Sequence, residues 1–287
     1  MKQEIWTIQK VLNWTIGYFQ EKAVPEPRLS AELLLTHVLK CKRVDLYLQF
    51  ERILSPEELG DYRKAIKRRA AGEPVQYITG EQEFMGLNFR VRKGCLIPRQ
   101  DTELLVERAL KIIRENPENI HTVLDVGIGS GNISLSVAHY APQVQVTGID
   151  ISEEALAIAE ENREQLQITN AEFFLADGRT WQPGREFDLL LSNPPYISRE
   201  DYQTLHPQVR EFEPSRALLA GEEGLDFYRR FVPHSKSLLK KGAYILLEVG
   251  YNQSRTVMQL LQDHGFSGIL AHKDYNNIER LIEAKNE

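Results

Sequence analysis

At 287 residues the chain is long for one domain, and its composition, 42% hydrophobic and 26% charged, is that of an ordinary folded protein, which excludes a disordered or low-complexity chain. A formal charge of -6 argues against a protein whose main partner is a long phosphate backbone, because such binding needs clustered Lys and Arg.

Up to residue 72 apolar side chains recur at three- and four-residue spacing, in IQKVLNWTIGYF, SAELLLTHVLK and SPEELGDYRKAIKRRAA. This predicts a domain over 1–72 that is a bundle of four or five helices, with N-caps at Ser30 and Ser55 and a capping box completed by Glu58 behind Pro56. Within it YRKAIKRR holds five cations, Arg63, Lys64, Lys67, Arg68 and Arg69. They read as a solvated helix face, with a contact surface for an acidic or RNA-bearing partner as the alternative. Over 73–95 Gly, Pro and β-favouring residues replace the helical period, and FMGLNFRV alternates around a glycine. That segment is expected to be a linker carrying a β-hairpin.

From residue 96 to the end the pattern alternates. DTELLVERALKIIREN, NISLSVAHYA, SEEALAIAEENREQL, GLDFYRRFVPHSKSLLKKG and SRTVMQLLQDHG read as helices; TVLDVG, VQVTGID, AEFFLAD, FDLLLSN and AYILLEVG read as strands. Strands separated by helices of this length form right-handed crossovers, so a mostly parallel, Rossmann-like doubly wound α/β sheet is expected over 96–287.

The ends of four of these strands carry polar chemistry. In TVLDVGIGSGNISLSVA an apolar strand meets Asp125, then Gly127, Gly129 and Gly131, then a helix, and glycines there let backbone approach a ligand closely. Asp125 could simply cap the turn. Asp150 closes the second strand, where a carboxylate can hold a ribose diol, and Asp177 follows the third, where it can accept from an adenine amino group. The fourth strand, in DLLLSNPPYISRED, runs into Asn193, Pro194, Pro195 and Tyr196. Two prolines remove two donors and fix two φ angles, making a stiff corner. The Asn193 side-chain carbonyl and the Pro194 backbone carbonyl form an acceptor pair for the N–H groups of a planar amide or amine, and Tyr196 offers a flat face.

Glycine loop, ribose acid, adenine acid and NPPY together resemble the class I S-adenosylmethionine-dependent methyltransferases. A nicotinamide enzyme would need hydride-transfer groups and a second nucleotide-binding half that this sequence lacks. The longer stretches EPVQYITGEQEFMGLNFRVRKGCLIPRQDTELLVE, DVGIGSG, SNPPYI and EFEPSRALLAGEEGLDFYRRF are similar to those of the peptide chain release factor glutamine methyltransferases, the PrmC/HemK family.

The resemblance implies methyl transfer from S-adenosylmethionine, with S-adenosylhomocysteine as product. The acceptor would be the side-chain amide nitrogen (N5) of the glutamine in the Gly-Gly-Gln (GGQ) loop of class 1 peptide chain release factors. It implies that Gly127, Ile128, Gly129, Ser130 and Gly131 line the methionine and ribose part of the donor. Asp150 would bind the ribose, and Asp177 and Gly178 would lie beside adenine. Asn193 to Tyr196 would hold the glutamine, Asn193 also near the donor methyl, and the helical bundle would contact the release factor. Two departures stand out: Gln100 replaces a proline in IPRQDTE, and Gly178 stands where some relatives have an aromatic. A substrate-side wall built by Arg99, Asp101 and Glu103 is a hypothesis from that segment.

The alternatives are a DNA or RNA adenine-amine methyltransferase, disfavoured by the acidic balance and the small accessory domain, and a non-catalytic adenosine-binding sensor, which would not need Asn193. Cys41 and Cys95 have no close Cys or His partners and imply neither a disulfide framework nor a zinc site. His206, His234, His264 and His272 are too widely spaced to suggest a metal. MKQEIWTIQKVLNW lacks the apolar core of a signal peptide, and no run approaches the ~20 apolar residues of a membrane span. A cytoplasmic monomer with no direct nucleic-acid or membrane partner is therefore expected.

Overall fold

A computed structural model describes residues 5–287. In chain order the elements begin with helices α1 (Ile8–Glu21), α2 (Pro27–Leu39), α3 (Arg43–Leu48), α4 (Pro56–Ala70) and α5 (Val75–Thr79), and a hairpin of β1 (Glu81–Phe84) and β2 (Leu87–Arg90). Then follow α6 (Glu103–Glu115), β3 (Thr122–Val126), α7 (Asn132–Tyr140), β4 (Gln145–Asp150), α8 (Glu153–Gln165), β5 (Ala171–Leu175) and β6 (Phe187–Ser192). The chain ends with α9 (Arg199–Thr204), α10 (Pro207–Phe212), α11 (Asp226–Ser235), β7 (Leu239–Glu248), α12 (Ser254–Asp263), β8 (Phe266–Lys273) and β9 (Glu279–Asn286). Two compact units result, one running up to Glu81 and including His206–Phe212, the other comprising 82–205 and 213–287.

The first unit is helical. Its core is apolar, with Phe19, Leu34, Leu35, Leu46 and Tyr62 fully buried. Ser55 and Glu58 cap α4 reciprocally, each side chain accepting from the other's backbone N–H at 3.1 and 2.7 Å. Ser30 is no cap, because α2 already starts at Pro27 and puts it one turn inside. Its hydroxyl donates to the Pro25 carbonyl at 3.1 Å and accepts from Arg69 Nε at 3.1 Å. Arg69 is accordingly only 3% exposed, and its Nη1 also donates to Gln208 Oε1 at 2.7 Å. It does not belong to the solvated cationic face, where Arg63, Lys64, Lys67 and Arg68 remain. The unit also extends beyond residue 72. Pro74 precedes a single helical turn, α5, whose Val75 and Ile78 lie one turn apart and join the helical core.

The second unit is built on a seven-stranded sheet of order β5-β4-β3-β6-β7-β9-β8. β5 through β7 are mutually parallel, and β9 and β8 close one edge antiparallel. Strands buried on both faces need apolar runs, and β6 is buried at all six positions. One face packs against α6 and α7 through residues such as Leu105, Ile113 and Ile133. The other packs against α11 and α12 through Tyr228, Phe231, Val257 and Leu261.

Two elements differ from the sequence pattern. The helical run ending at Gly242 stops at Ser235, soon after Pro233, and Leu239 already pairs with Phe187 as β7 begins. The antiparallel arm of β8 and β9 has no counterpart in the sequence reading, since β8 mixes partly buried and exposed residues. Because β3 lies between β4 and β6, the strand order reverses there, and the carboxyl ends of these strands open a crevice.

Candidate functional site

The crevice is a cavity of about 380 Å³ reached by the loops after β3, β4 and β6. Gly129 takes φ +56°, and a Cβ on it would meet nothing within 4 Å, so it is the left-handed backbone and not packing that calls for glycine there. Its N–H donates to Asp150 Oδ2 at 3.0 Å, tying the glycine loop to the end of β4. Gly127 and Gly129 line the cavity; Ile128, Ser130 and Gly131 do not. Ile128 and Ser130 are each 1% exposed, and a Cβ on Gly131 would press on Ala159 and Leu135 at 3.1 Å. Those three residues set the shape of the loop rather than its surface.

Asp150 is half-buried at the cavity wall. Burial pushes its carboxyl up, and N–H donors from Gly129 and Ser152, the latter at 2.9 Å to Oδ1, offset only part of that rise. Each oxygen spends one lone pair on backbone and keeps another for a ligand. Asp177 lies on the same wall, but Arg179 holds both its oxygens: Nε reaches Oδ1 at 2.8 Å and Nη2 reaches Oδ2 at 2.7 Å. That bond keeps the Asp177 carboxyl below the usual range. Gly178 has a packing cause of its own, since a Cβ there would sit 2.4 Å from Val126 Cγ1. With no aromatic at that position, the apolar walls come from Ile149, Ile151 and Phe227. A flat apolar slot beside an acceptor carboxylate and an open glycine backbone fits an adenosine-bearing donor.

Asn193 and Pro195 line the same cavity, whereas Pro194 is buried. Asn193 follows Ser192, whose hydroxyl donates to the Val126 carbonyl at 2.7 Å and pins the end of β6 to β3. The Asn193 Nδ2 donates to Thr102 Oγ1 at 3.0 Å. Tyr196 O–H donates to Glu248 Oε1 at 3.3 Å. Burial pushes the Tyr196 hydroxyl up, with Glu248 adding to the effect. Glu248 is 3% exposed, and burial pushes its carboxyl up to about 7 against the pull of the Thr102 and Tyr196 hydroxyls.

Sequence reasoning placed Asn193, Pro194, Pro195 and Tyr196 at one strand end but overlooked what supports them. Of the IPRQDTE segment, Arg99 donates to Glu213 Oε1 at 2.5 Å, and Glu213 Oε2 also accepts from Ile97 N at 3.1 Å. Glu103 accepts from Met85 N at 2.7 Å and so fastens the hairpin turn. Thr102, not singled out, is the residue of that segment that touches Asn193. Glu248 had a legible signal: an acid closing a strand, as Asp150 does. Asp125 itself is fully buried and accepts from Ser134 Oγ at 2.5 Å, so its role is to hold the start of α7.

Residues 10–80 match the family model described as PrmC N-terminal domain, and 100–219 match the Methyltransferase small domain. The chain is 44% identical over 283 residues to the release factor glutamine methyltransferase of Geobacter sulfurreducens, covering 98% of this chain and 97% of that protein. It is 40% identical over 278 residues to the protein of the same name from Koribacter versatilis, covering 96% and 97%. Among solved structures, a T. thermophilus 16S rRNA methyltransferase in complex with AdoMet and guanosine shares the fold. It has TM-score 0.51 and 17% identity, covering 72% of this chain and 50% of that one.

Proposed function

The chain belongs to the release factor glutamine methyltransferase family, and on that premise we propose that it methylates the side-chain amide nitrogen, N5, of the GGQ glutamine in class 1 release factors. The observation that carries the reading is one cavity lined by both Asp150 and Asn193. The bound donor, S-adenosylmethionine, supplies an electrophilic methyl group on a sulfonium. In the donor half Asp150 accepts from the ribose hydroxyls, Gly127 and Gly129 give backbone to the methionine portion, and Ile149, Ile151 and Phe227 flank adenine beside Gly178. Asp177, already paired with Arg179, contributes less to adenine than Asp150 does to ribose.

An amide nitrogen is a poor nucleophile because its lone pair is delocalised. Asn193 Oδ1 and the Pro194 carbonyl accept its two N–H bonds, orient the nitrogen and stabilise the positive charge that grows as the N–C bond forms and the S–C bond breaks. Pro194 and Pro195 hold that corner rigid before the substrate arrives. Tyr196 supports the planar amide. The methylated nitrogen then loses its proton to water, leaving a neutral N-methyl amide and S-adenosylhomocysteine.

The helical unit docks the release factor outside the loop, with the exposed Arg63 and Lys67 meeting an acidic surface. Reversing both charges and comparing turnover on intact release factor and on an isolated loop peptide tests this; equal losses on the two substrates contradict it. No helix among the described residues is long and apolar enough to cross a membrane. The reading is of a cytoplasmic monomer that makes no direct nucleic-acid contact.

Mass spectrometry of an unmethylated release factor, incubated with this protein and S-adenosylmethionine, tests the whole reading beside a parallel reaction with Asn193→Ala. One added methyl on the loop glutamine, lost with the variant, supports it. Label appearing in DNA or RNA instead moves the activity to adenine-amine methylation.

A further inference from the structure

An acceptor clamp made from an asparagine has a built-in ambiguity. Its Oδ1 and Nδ2 are nearly the same size, and a half-turn about the last side-chain bond exchanges them. With Oδ1 toward the cavity, Asn193 accepts a substrate N–H. With Nδ2 there, it would offer a donor to a donor, which repels the nitrogen that must be held. Something next to Asn193 has to distinguish its two ends.

The register of the sheet supplies the neighbour. Ser192 pairs with Leu247 across the parallel strands β6 and β7, so Asn193 and Glu248, each one residue further on, are neighbours at the ends of those strands. Thr102, 1% exposed and just ahead of α6, completes the group: Asn193 Nδ2 donates to its Oγ1 at 3.0 Å. A hydroxyl alone would not decide the matter, because it can accept from Nδ2 or donate to Oδ1 equally well. The direction is decided by where the hydroxyl hydrogen of Thr102 goes. The buried carboxyl of Glu248 offers that destination, and the Thr102 hydroxyl is among the groups that pull it down. One carboxyl oxygen, Oε1, accepts from Tyr196, while Oε2 is buried without a hydrogen-bond partner and stands open to that hydrogen. With its hydrogen committed to Glu248, Thr102 can present only a lone pair to Asn193.

We propose that Thr102 is a positioning residue: its hydroxyl, oriented by Glu248, holds Asn193 with Nδ2 inward and Oδ1 toward the cavity, so that the clamp presents an acceptor to the substrate amide. The inference rests on the reading of Asn193 as that acceptor. The same carboxyl also takes the Tyr196 hydroxyl, so Glu248 sets the polarity of two residues of the NPPY corner at once.

The test compares Thr102→Val, which keeps the shape and removes the acceptor, with Thr102→Ser, which restores it. Each is made in the parent and in an Asn193→Ala background. Thr102→Val is expected to lower kcat on release factor about tenfold or more, the size seen when a supporting partner of a site residue is removed, at unchanged donor affinity. Thr102→Ser is expected to recover most of that loss. In the Asn193→Ala background Thr102→Val should add little, because both changes remove the same interaction. Full activity of Thr102→Val beside an inactive Asn193→Ala overturns the proposal and leaves the clamp standing, whereas an active Asn193→Ala removes the clamp itself. Equal loss in Thr102→Val and Thr102→Ser, with donor affinity lost too, also overturns it by showing a packing role. Should Thr102→Val not fold, Thr102→Ala is read against Thr102→Ser by the same two measurements.

Discussion

Gln253 is the brace behind Tyr196: its Nε2 donates to the Tyr196 carbonyl at 2.8 Å and to the Gly224 carbonyl at 3.0 Å, while its Oε1 accepts from Gly250 N at 3.0 Å. The side chain is 6% exposed, so these three backbone groups have little access to water in its absence. Gln253→Ala would leave them buried and unpaired, at about 1–3 kcal/mol each before relaxation and well short of additive. The expected result is a loss of about 2–4 kcal/mol in urea unfolding, with kcat falling more than KM rises because the aromatic of the corner loses its backbone anchor. Wild-type stability in this variant would mean that Tyr196 is held well enough by the two prolines before it and by its bond to Glu248.

Asp150 and Asp177 line the same cavity but differ in what they have left to give. Asp150 is bound only by backbone N–H groups, whereas Asp177 is gripped at both oxygens by Arg179. Asp150→Ala is therefore expected to weaken S-adenosylmethionine binding by about 10–100-fold, the worth of hydrogen bonds to a charged group. Asp177→Ala should cost only a few-fold on the same scale. Calorimetric titration of the donor into the two variants compares them directly. A larger loss at Asp177 would show that Arg179 lets go of it when the donor arrives.

Legibility in the sequence followed the kind of force at work. Period and strand ends were readable, because burial on both faces of β3 and β6 demands apolar runs and a ligand crevice demands polar residues where those runs stop. Asp150, Asp177, Asn193 and Pro195 therefore reached one cavity from three separate motifs. Long-range pairing was not readable. Glu213 lies more than a hundred residues from the Arg99 it binds, and nothing local marks it as buried. Arg69 shows the same limit from the other side: its helical spacing matches the exposed cations beside it, and only Ser30, Glu73 and Gln208 converging on it explain its burial. The strand start at Leu239 was hidden for a third reason, as pairing with Phe187 overrides the helical propensity of the lysine-rich stretch that follows.

Gly178 gives a packing prediction with its own rescue. A Cβ at this position would lie 2.4 Å from Val126 Cγ1, and Val126 is 2% exposed at the end of β3. Gly178→Ala should destabilise the protein by about 1–3 kcal/mol, as overpacking does, and weaken donor binding by displacing the strand end beneath the slot. Val126→Ala opens the space the new methyl needs. The double variant should then be more stable than the sum of the two single changes predicts, a coupling that thermal unfolding of all four proteins would reveal. Strict additivity would show that the backbone at Gly178 moves aside instead.

A pH dependence follows from Glu283, far from the NPPY corner on β9. Its side chain is 6% exposed; Arg108 donates to its two oxygens at 2.5 and 2.8 Å, and His272 Nε2 lies 2.8 Å from Oε2. Burial pushes the carboxyl up, but the bonds from His272 and Arg108 more than offset it and leave the pKa at about 2, below the ordinary 4.5. A carboxyl whose pKa is lower in the folded chain stabilises it at every pH above the unfolded value. That contribution is lost as pH falls from about 4.5 through about 2, where the folded group takes up its proton as well. The size is on the order of 3 kcal/mol by linkage. Glu283→Gln should therefore be less stable than the parent at pH 6, with the gap closing as both are titrated toward pH 2 in chemical denaturation. A gap that stays constant across that range would mean that the loss comes from packing in the β8–β9 arm and not from the charge.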